Sequence, residues 1–230
     1  GVPPRNPDFV GRDTELFQIR DALSSSGAPG LVGTSGVTTI ETVGLGGVGK
    51  TQMAIEYCHR HYQTTSDTCT YGLILWLVAE SPDSIAAGFR DLASDSGIAV
   101  KDMHNEEIVE KVRSRLYRTS CQWLLVFDNV ENREVLDAYM PRGGVTAGHV
   151  LVTTRYSLPG VPSSRRISLD CFSKEESISF LHRVVGGHAV DEMVAGADCR
   201  GPVTGLQRPE TSGGTFNAVV GDVLAHALGH

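Results

Sequence analysis

The sequence predicts an α/β fold with a doubly wound, mainly parallel five-stranded sheet and helices on both faces. Strand-like and helix-like segments alternate along most of the chain. Residues 73–79 and 122–128 are continuous rather than alternating apolar runs, which indicates strands covered on both faces. A glycine-rich octapeptide, residues 44–51, lies between the first predicted strand and a predicted helix.

Each predicted element has a local signal. The first strand, residues 37–43, is rich in β-branched residues, and residues 52–62 contain neither Gly nor Pro. Asp13 and Ser81 are suited to cap helices, and Ser173 begins a capping box. The remaining predicted elements are strands at residues 73–79, 122–128, 149–155 and 166–169, and a helix at residues 105–118.

These signals divide the chain into three segments. Residues 1–36 are predicted to form an extended linker and a lead-in helix, and residues 37–185 the domain that carries the sheet. In residues 186–230 the pattern dissolves into Gly, Pro and polar residues, so we expect a connector and the start of a helical segment. Because the chain does not begin with Met, we expect a piece of a longer protein.

Composition excludes several classes of protein. The 40% hydrophobic and 20% charged residues fit a globular domain. A net charge of −7 argues against nucleic acid as the main partner, because such binding needs a basic surface. The longest apolar run is too short to span a membrane. Five widely spaced cysteines without a C-x-x-C pair favour a reducing, cytoplasmic location.

Residues 44–51 fit the phosphate-binding pattern G-x-x-x-x-G-K-[ST] at every fixed position, in the required setting between a strand and a helix. Its glycines let backbone N–H groups approach phosphate oxygens, and the following helix adds its positive N-terminal end. Lys50 would reach the β and γ phosphates, and Thr51 would bind Mg²⁺. The alternative is a glycine-rich turn without chemical meaning. The predicted nucleotide-binding residues here are Gly46, Gly47, Val48, Gly49, Lys50, Thr51 and Gln52.

Two further strands end in charged residues that suit nucleotide chemistry. Asp128 follows four apolar residues and would help to hold Mg²⁺, whereas Arg155 would contact the γ phosphate. Taken alone, each residue has a structural alternative without a role in nucleotide binding. Asp128 could be a turn residue or a helix cap, and Arg155 could form an exposed ion pair. Asn129 can position water but cannot take its proton, so Lys50, Asp128, Asn129 and Arg155 predict at most a slow Mg²⁺-dependent ATPase. The guanine signature N-K-x-D is absent, which favours ATP and ADP.

Four motifs occur in a fixed order along the chain. They are Phe9-Val10-Gly11-Arg12-Asp13-Thr14-Glu15, residues 44–51, Leu124-Leu125-Val126-Phe127-Asp128-Asn129-Val130, and Leu151-Val152-Thr153-Thr154-Arg155. Together they resemble the NB-ARC domain, the nucleotide-binding module of plant disease-resistance receptors, the animal apoptotic protease-activating factor and many signalling ATPases of the STAND class. With Asn6-Pro7-Asp8 in front, the set is most similar to fungal NOD-like receptor proteins.

The resemblance implies a role for each matching residue. Val10 and Arg12 would contact adenine, residues 47–51 the phosphates, Thr51 and Asp128 Mg²⁺, and Arg155 the γ phosphate. Many members have Asp where this chain has Asn129, which again argues against efficient hydrolysis. Members continue into a helical segment with a Gly-Leu-Pro-Leu-Ala motif and then a winged helix, and residues 219–230 resemble the helix that precedes that motif.

The resemblance also implies a mechanism. ADP would hold a closed monomer, and exchange for ATP would open the protein into a homo-oligomer that clusters effector domains in innate immunity or programmed cell death. Effector and sensor domains would lie outside this segment. The alternatives are a P-loop ATPase whose turnover is itself the function, and an interaction scaffold with a degenerate site.

Overall fold

The computed structural model describes residues 1–24, 37–62, 71–141 and 148–185. The connector and helix predicted within residues 186–230 lie outside these ranges. The strands are β1 (Val37–Val43), β2 (Leu73–Val78), β3 (Trp123–Val130), β4 (Gly148–Thr154) and β5 (Arg166–Ser168). The helices are α1 (Asp13–Ser24), α2 (Lys50–His61), α3 (Pro82–Asp95), α4 (Asn105–Arg118), α5 (Arg133–Tyr139) and α6 (Lys174–Val185).

The five strands form one sheet in the order β2-β3-β4-β1-β5, and every recorded pairing is parallel. This arrangement confirms the predicted fold class. Parallel strands place all their carboxyl ends at one edge, so the segments that follow β1, β2, β3 and β4 meet there.

The sheet is buried on both faces, as the continuous apolar runs predicted. On one face α3 and α4 pack against Trp123, Leu125 and Phe127 of β3. On the other face α1 and α2 pack against Leu124 and Val126. Successive side chains of a strand point to opposite faces, and here both sets are fully buried.

Gly148 lets β4 lie directly beside the largest core side chain. A Cβ atom at this position would lie 1.9 Å from Cζ2 of Trp123, which is fully buried in the neighbouring strand. Only a glycine can therefore begin β4 with Trp123 in this place. The pairing fixes the register of β3 against β4, and so the positions of Asp128 and Thr153 at the far end.

Residues 1–8 form neither helix nor strand, but they are tied to α2. Arg5 donates from Nε and Nη2 to the carboxylate of Glu56, at 2.8 and 2.7 Å. A ring nitrogen of His59 hydrogen bonds with the Pro3 carbonyl at 2.9 Å. The segment predicted as an extended linker is therefore held against the domain.

The chain divides into two compact units, with the boundary after Phe172. The sheet and α1–α5 belong to the first unit. In the second, Ser173 and Glu176 exchange backbone and side-chain hydrogen bonds at 2.8 and 3.1 Å, which is the predicted capping box that begins α6.

Candidate functional site

The loop between β1 and α2 has the geometry of a phosphate-binding loop. Gly47 and Gly49 have φ angles of 83° and 96°, in the left-handed region that favours glycine. Met53 donates its backbone N–H to the carbonyl of Gly49 at 2.9 Å, closing the first turn of α2. The N–H groups of Lys50, Thr51 and Gln52 precede that bond, so they have no acceptor within the helix and can receive an anion.

Lys50 is a buried cation at the start of α2, with 8% of its surface exposed. Its Nζ donates to the carbonyl oxygens of Gly44 and Leu45, each at 2.7 Å. Burial lowers its pKa, the nearby positive charge of Arg155 lowers it further, and the carboxylate of Asp128 opposes both effects. A negatively charged ligand would remove this electrostatic cost.

Thr51 and Asp128, the two predicted Mg²⁺ ligands, are hydrogen bonded to each other. The Thr51 hydroxyl donates to Oδ1 of Asp128 at 2.9 Å, although the two residues are far apart in sequence. The Thr153 hydroxyl donates to the same oxygen at 2.6 Å. Hydroxyl and carboxylate oxygens are the donors that Mg²⁺ prefers, and the ion usually takes its other ligands from water and substrate phosphates, so the pair fits this metal.

No group of three or more His, Cys, Asp or Glu side chains within the described ranges could hold a metal ion by protein ligands alone. When bound, Mg²⁺ would neutralise charge on the phosphates. Thr51 would supply its hydroxyl oxygen to the ion and Asp128 its carboxylate.

Asn129 occupies a bulge at the end of β3. The pairing of β3 with β4 shifts register between Phe127 and Val130, and Asn129 has a left-handed φ of 62°, which asparagine tolerates better than most residues. Its backbone N–H donates to the Thr153 hydroxyl at 2.8 Å. Its side-chain amide donates to Oε1 of Glu80 at 3.0 Å.

Arg155 follows β4 and faces the same cleft. Its guanidinium carbon lies 3.8 Å from the point where a Cβ on Gly46 would be, so the arginine approaches the loop backbone closely. It is exposed, and its charge acts on the pKa of Lys50. A guanidinium that is exposed beside a phosphate-binding loop can contact a terminal phosphate.

The cleft has a volume of about 360 Å³ and brings together most of the predicted site. It is lined by Gly46, Gly47, Gly49, Lys50, Thr51, Gln52, Glu80, Asp128, Asn129, Thr153 and Arg155. Four segments that follow four different strands, or end them, supply these residues. The convergence follows directly from the parallel sheet.

Three described residues that were predicted to contact the nucleotide, Val10, Arg12 and Val48, do not line this cleft. Arg12 is 5% exposed and donates to the carbonyl oxygens of Val48, at 3.2 Å, and of Asp170. Its guanidinium also lies 4.7 Å from the ring centre of Phe172. The Arg12 side chain therefore braces the loop, and a contact of Arg12 with adenine remains a prediction.

Sequence reasoning missed two lining residues, Glu80 and Thr153. Glu80 comes just after the apolar β2, as Asp128 ends the apolar part of β3, so the same signal of a carboxylate after a buried strand could have found it. Thr153 lies inside a strand, and only the pairing of β4 with β3 shows that its hydroxyl reaches Asp128. No sequence pattern distinguishes such a threonine from an ordinary strand residue.

The NB-ARC domain family matches residues 13–191 of the chain. The chain belongs to the NB-ARC family. The predicted resemblance is thus confirmed over the sheet and its helices, and NB-ARC domains are nucleotide-binding domains.

The chain is similar to parts of two longer proteins. The chain is 25% identical over 194 residues to the regulatory protein AfsR of Streptomyces griseus, covering 82% of this chain and 18% of that protein. It is 27% identical over 135 residues to a nucleotide-binding leucine-rich repeat (NLR)-like protein of the fungus Hyaloscypha variabilis, covering 57% of this chain and 12% of the relative. The NB-ARC domain thus spans less than a fifth of each of these relatives.

A solved structure of similar fold is the ORC2 protein of Aeropyrum pernix, determined in ADPNP and ADP complexes. The TM-score is 0.50 at 19% identity, and the match covers 80% of this chain and 52% of that one. Within the described ranges of the NB-ARC chain, no helix has the length and apolar character needed to cross a membrane.

Proposed function

We propose that this chain is the ATP- and ADP-binding switch domain of a larger signalling receptor of the NOD-like type. One observation carries the proposal. The buried Lys50 and the exposed Arg155 converge on one cleft that also contains the Thr51–Asp128 pair. The arrangement concentrates positive charge beside a Mg²⁺-type ligand pair, which suits a Mg²⁺–nucleotide.

The choice of adenine nucleotide rests on sequence and on fold. The guanine signature N-K-x-D is missing, and the ORC2 protein of similar fold holds ADPNP and ADP. The proposed contacts of Val10 and Arg12 with adenine belong to this same part of the hypothesis, and Arg12 would make its contact through its backbone because its guanidinium is engaged elsewhere.

The switch itself requires that ATP favour one state more than ADP does. In the proposal, Arg155 supplies this difference by contacting the γ phosphate. ATP binding would then open the full-length protein and allow it to form a homo-oligomer in the cytoplasm, without nucleic acid as a partner. The fungal relative, described as a nucleotide-binding leucine-rich repeat (NLR)-like protein, supports the choice of a NOD-like receptor, and an innate-immune role is part of the proposal.

Titration calorimetry of the chain with ADP and with ATP, each with Mg²⁺, tests the proposal. We expect both nucleotides to bind, and Lys50→Ala to weaken binding at least 100-fold, because it removes a charge-assisted contact to phosphate from a desolvated site. Lys101→Ala is the matched control, since it removes an exposed lysine that does not line the cleft. Equal affinities in the unmodified chain and Lys50→Ala would refute the proposal.

A further inference from the structure

Glu80 has no place in the nucleotide contacts described so far, although it lines the same cleft. It follows β2, the strand that pairs with β3, so it lies beside the end of the strand that carries Asp128 and Asn129. The backbone N–H of Ala79 donates to the Asp128 carbonyl at 2.7 Å, which ties the two strand ends together next to Glu80.

The bulge at Asn129 sets the position of the Glu80 carboxylate. Asn129 has a left-handed backbone and donates its side-chain amide to Oε1 of Glu80 at 3.0 Å. Its own backbone N–H is fixed by Thr153, which also holds Asp128. One hydrogen-bonded chain therefore runs from the Mg²⁺-type ligand Asp128 through Thr153 and Asn129 to Glu80.

We propose that Glu80 is the general base of ATP hydrolysis in this chain, and that Asn129 is the residue that positions it. The inference rests on the nucleotide-binding function proposed above. An amide cannot take a proton from water, whereas a carboxylate can, and Glu80 supplies the carboxylate that Asn129 lacks.

The Asn129 amide also explains why the base can lie at position 80. A second carboxylate at 129, within 3.0 Å of Glu80, would repel it and force the pair to share a proton. The amide instead donates a hydrogen bond to one oxygen of Glu80. A carboxylate at position 129 is therefore not needed in addition to Glu80. In this chain the carboxylate that would act as the base follows β2, and position 129 in β3 carries an amide.

The proposed step is balanced by ATP and one water molecule. Glu80 takes a proton from the water as the water oxygen forms a bond to the γ phosphorus. The bond from that phosphorus to the β–γ bridging oxygen breaks, and its electron pair leaves with ADP. The products are ADP, inorganic phosphate and a protonated Glu80, which returns its proton to solvent.

Single-turnover phosphate release from ATP, measured beside ATP affinity on the same protein, tests the assignment. We expect Glu80→Gln to slow hydrolysis about 100-fold, the usual size of a general-base contribution. Its Kd for ATP should change less than threefold, because the glutamine keeps the size of the side chain. Glu131→Gln is the matched control: it is exposed and lies just after β3, the strand that pairs with β2, but does not line the cleft.

Three outcomes would overturn the assignment. They are hydrolysis by Glu80→Gln at the unmodified rate, loss of ATP binding together with hydrolysis in that variant, and ATP binding without hydrolysis in the unmodified chain. Failure of the unmodified chain to bind either ATP or ADP is a separate result, because it would refute the nucleotide-binding function itself. Asn129→Ala should keep ATP affinity and slow hydrolysis about tenfold, since Glu80 would lose its hydrogen-bond donor.

Discussion

Strand β4 carries polar side chains to both ends of the sheet, and the two ends use them in opposite ways. At the amino end, a ring nitrogen of His149 hydrogen bonds with the Tyr71 hydroxyl at 2.6 Å. The hydroxyls of Tyr71 and Tyr57 lie 3.4 Å apart, and the other ring nitrogen of His149 meets the Gln122 amide at 3.4 Å. At the carboxyl end, Thr153 takes part in the network around Asp128.

The difference between these networks is electrostatic. Around His149 the partners are neutral, and Tyr57 and Tyr71 are nearly fully buried, so donors and acceptors satisfy one another within the protein. Around Thr153 the network opens into a cleft that contains two cations, Lys50 and Arg155. The positive charge of Arg155 disfavours the charged form of Lys50. A closed neutral network stabilises the fold, whereas an open charged one is suited to a ligand.

The largest expected difference between the two ends of β4 is in how each contributes to the pH dependence of stability. Burial lowers the pKa of His149 from 6.5 to about 4. The unfolded chain therefore binds the proton first, and the stability contributed by His149 is complete above pH 6.5 and is lost as the pH falls towards 4. We expect the free energy of unfolding to lose about 3 kcal/mol through this residue between pH 7 and pH 4.

Urea unfolding of the unmodified chain and of His149→Gln at pH 7, 5.5 and 4 measures this loss as the shrinking difference between the two proteins. His61 also has a pKa lowered by burial and by Arg20 and Arg60, and the subtraction removes its contribution. His104→Gln, at an exposed position before α4, is the matched surface variant. A change of nucleotide affinity in His149→Gln at pH 7 would show that the two ends of β4 are coupled. It would contradict the view that the His149 end serves only the stability of the fold.

Arg155 should give the reverse pattern, with an effect on affinity and little effect on stability. We expect Arg155→Ala to weaken ATP binding about tenfold, or about 1.4 kcal/mol, and to leave ADP binding unchanged. Because the side chain is exposed, the free energy of unfolding should change by less than about 0.5 kcal/mol. Calorimetry with both nucleotides measures the change in affinity, and urea unfolding measures the change in stability. Arg155→Lys should keep part of the ATP preference because it keeps the positive charge.

Equal losses of ATP and ADP affinity in Arg155→Ala would mean that the arginine contacts a phosphate common to both nucleotides. It would then supply affinity without supplying the difference on which a switch depends.

The sequence was sufficient for the architecture and for the residues that lie next to one another along the chain. The predicted strand segments coincide with all five strands of the described sheet, although only β2 and β3 were predicted from continuous apolar runs. Residues 44–51 predicted the loop and the start of α2. The helix α5 (Arg133–Tyr139) was missed, since seven residues with one buried position, Leu136, give almost no periodic signal.

The parts of the site that depend on pairing could not be predicted. The contact of Thr153 with Asp128, and that of Asn129 with Glu80, depend on strand order and on a bulge, and neither is written in a local pattern. The closed network of Tyr57, Tyr71 and His149 was missed for the same reason, because its members come from separate elements.

The smallest expected effect concerns Glu56, which lies at neither end of β4. It tests whether burying one partner of an ion pair decides the strength of the contact. Its carboxylate is 3% exposed and accepts hydrogen bonds from Arg5 and Arg60, which are 55% and 38% exposed. Hydrogen bonding by Arg5 lowers the pKa of Glu56 most, burial opposes it, and Arg60 lowers it further. The resulting stability is present above pH 4.5 and is lost as the pH falls through the lowered pKa.

We expect Glu56→Gln to cost about 1 kcal/mol at pH 7, because the arginine partners remain largely solvated. The cost should shrink below pH 4.5, where the unmodified carboxylate also becomes neutral. The ion pair of Arg133 with Asp137, at 2.6 Å on α5, is the matched surface comparison because its carboxylate is 52% exposed. Asp137→Asn should cost no more than about 0.5 kcal/mol in the same urea titration. Equal costs would show that burying the Glu56 carboxylate adds nothing to the strength of its contacts with the two arginines.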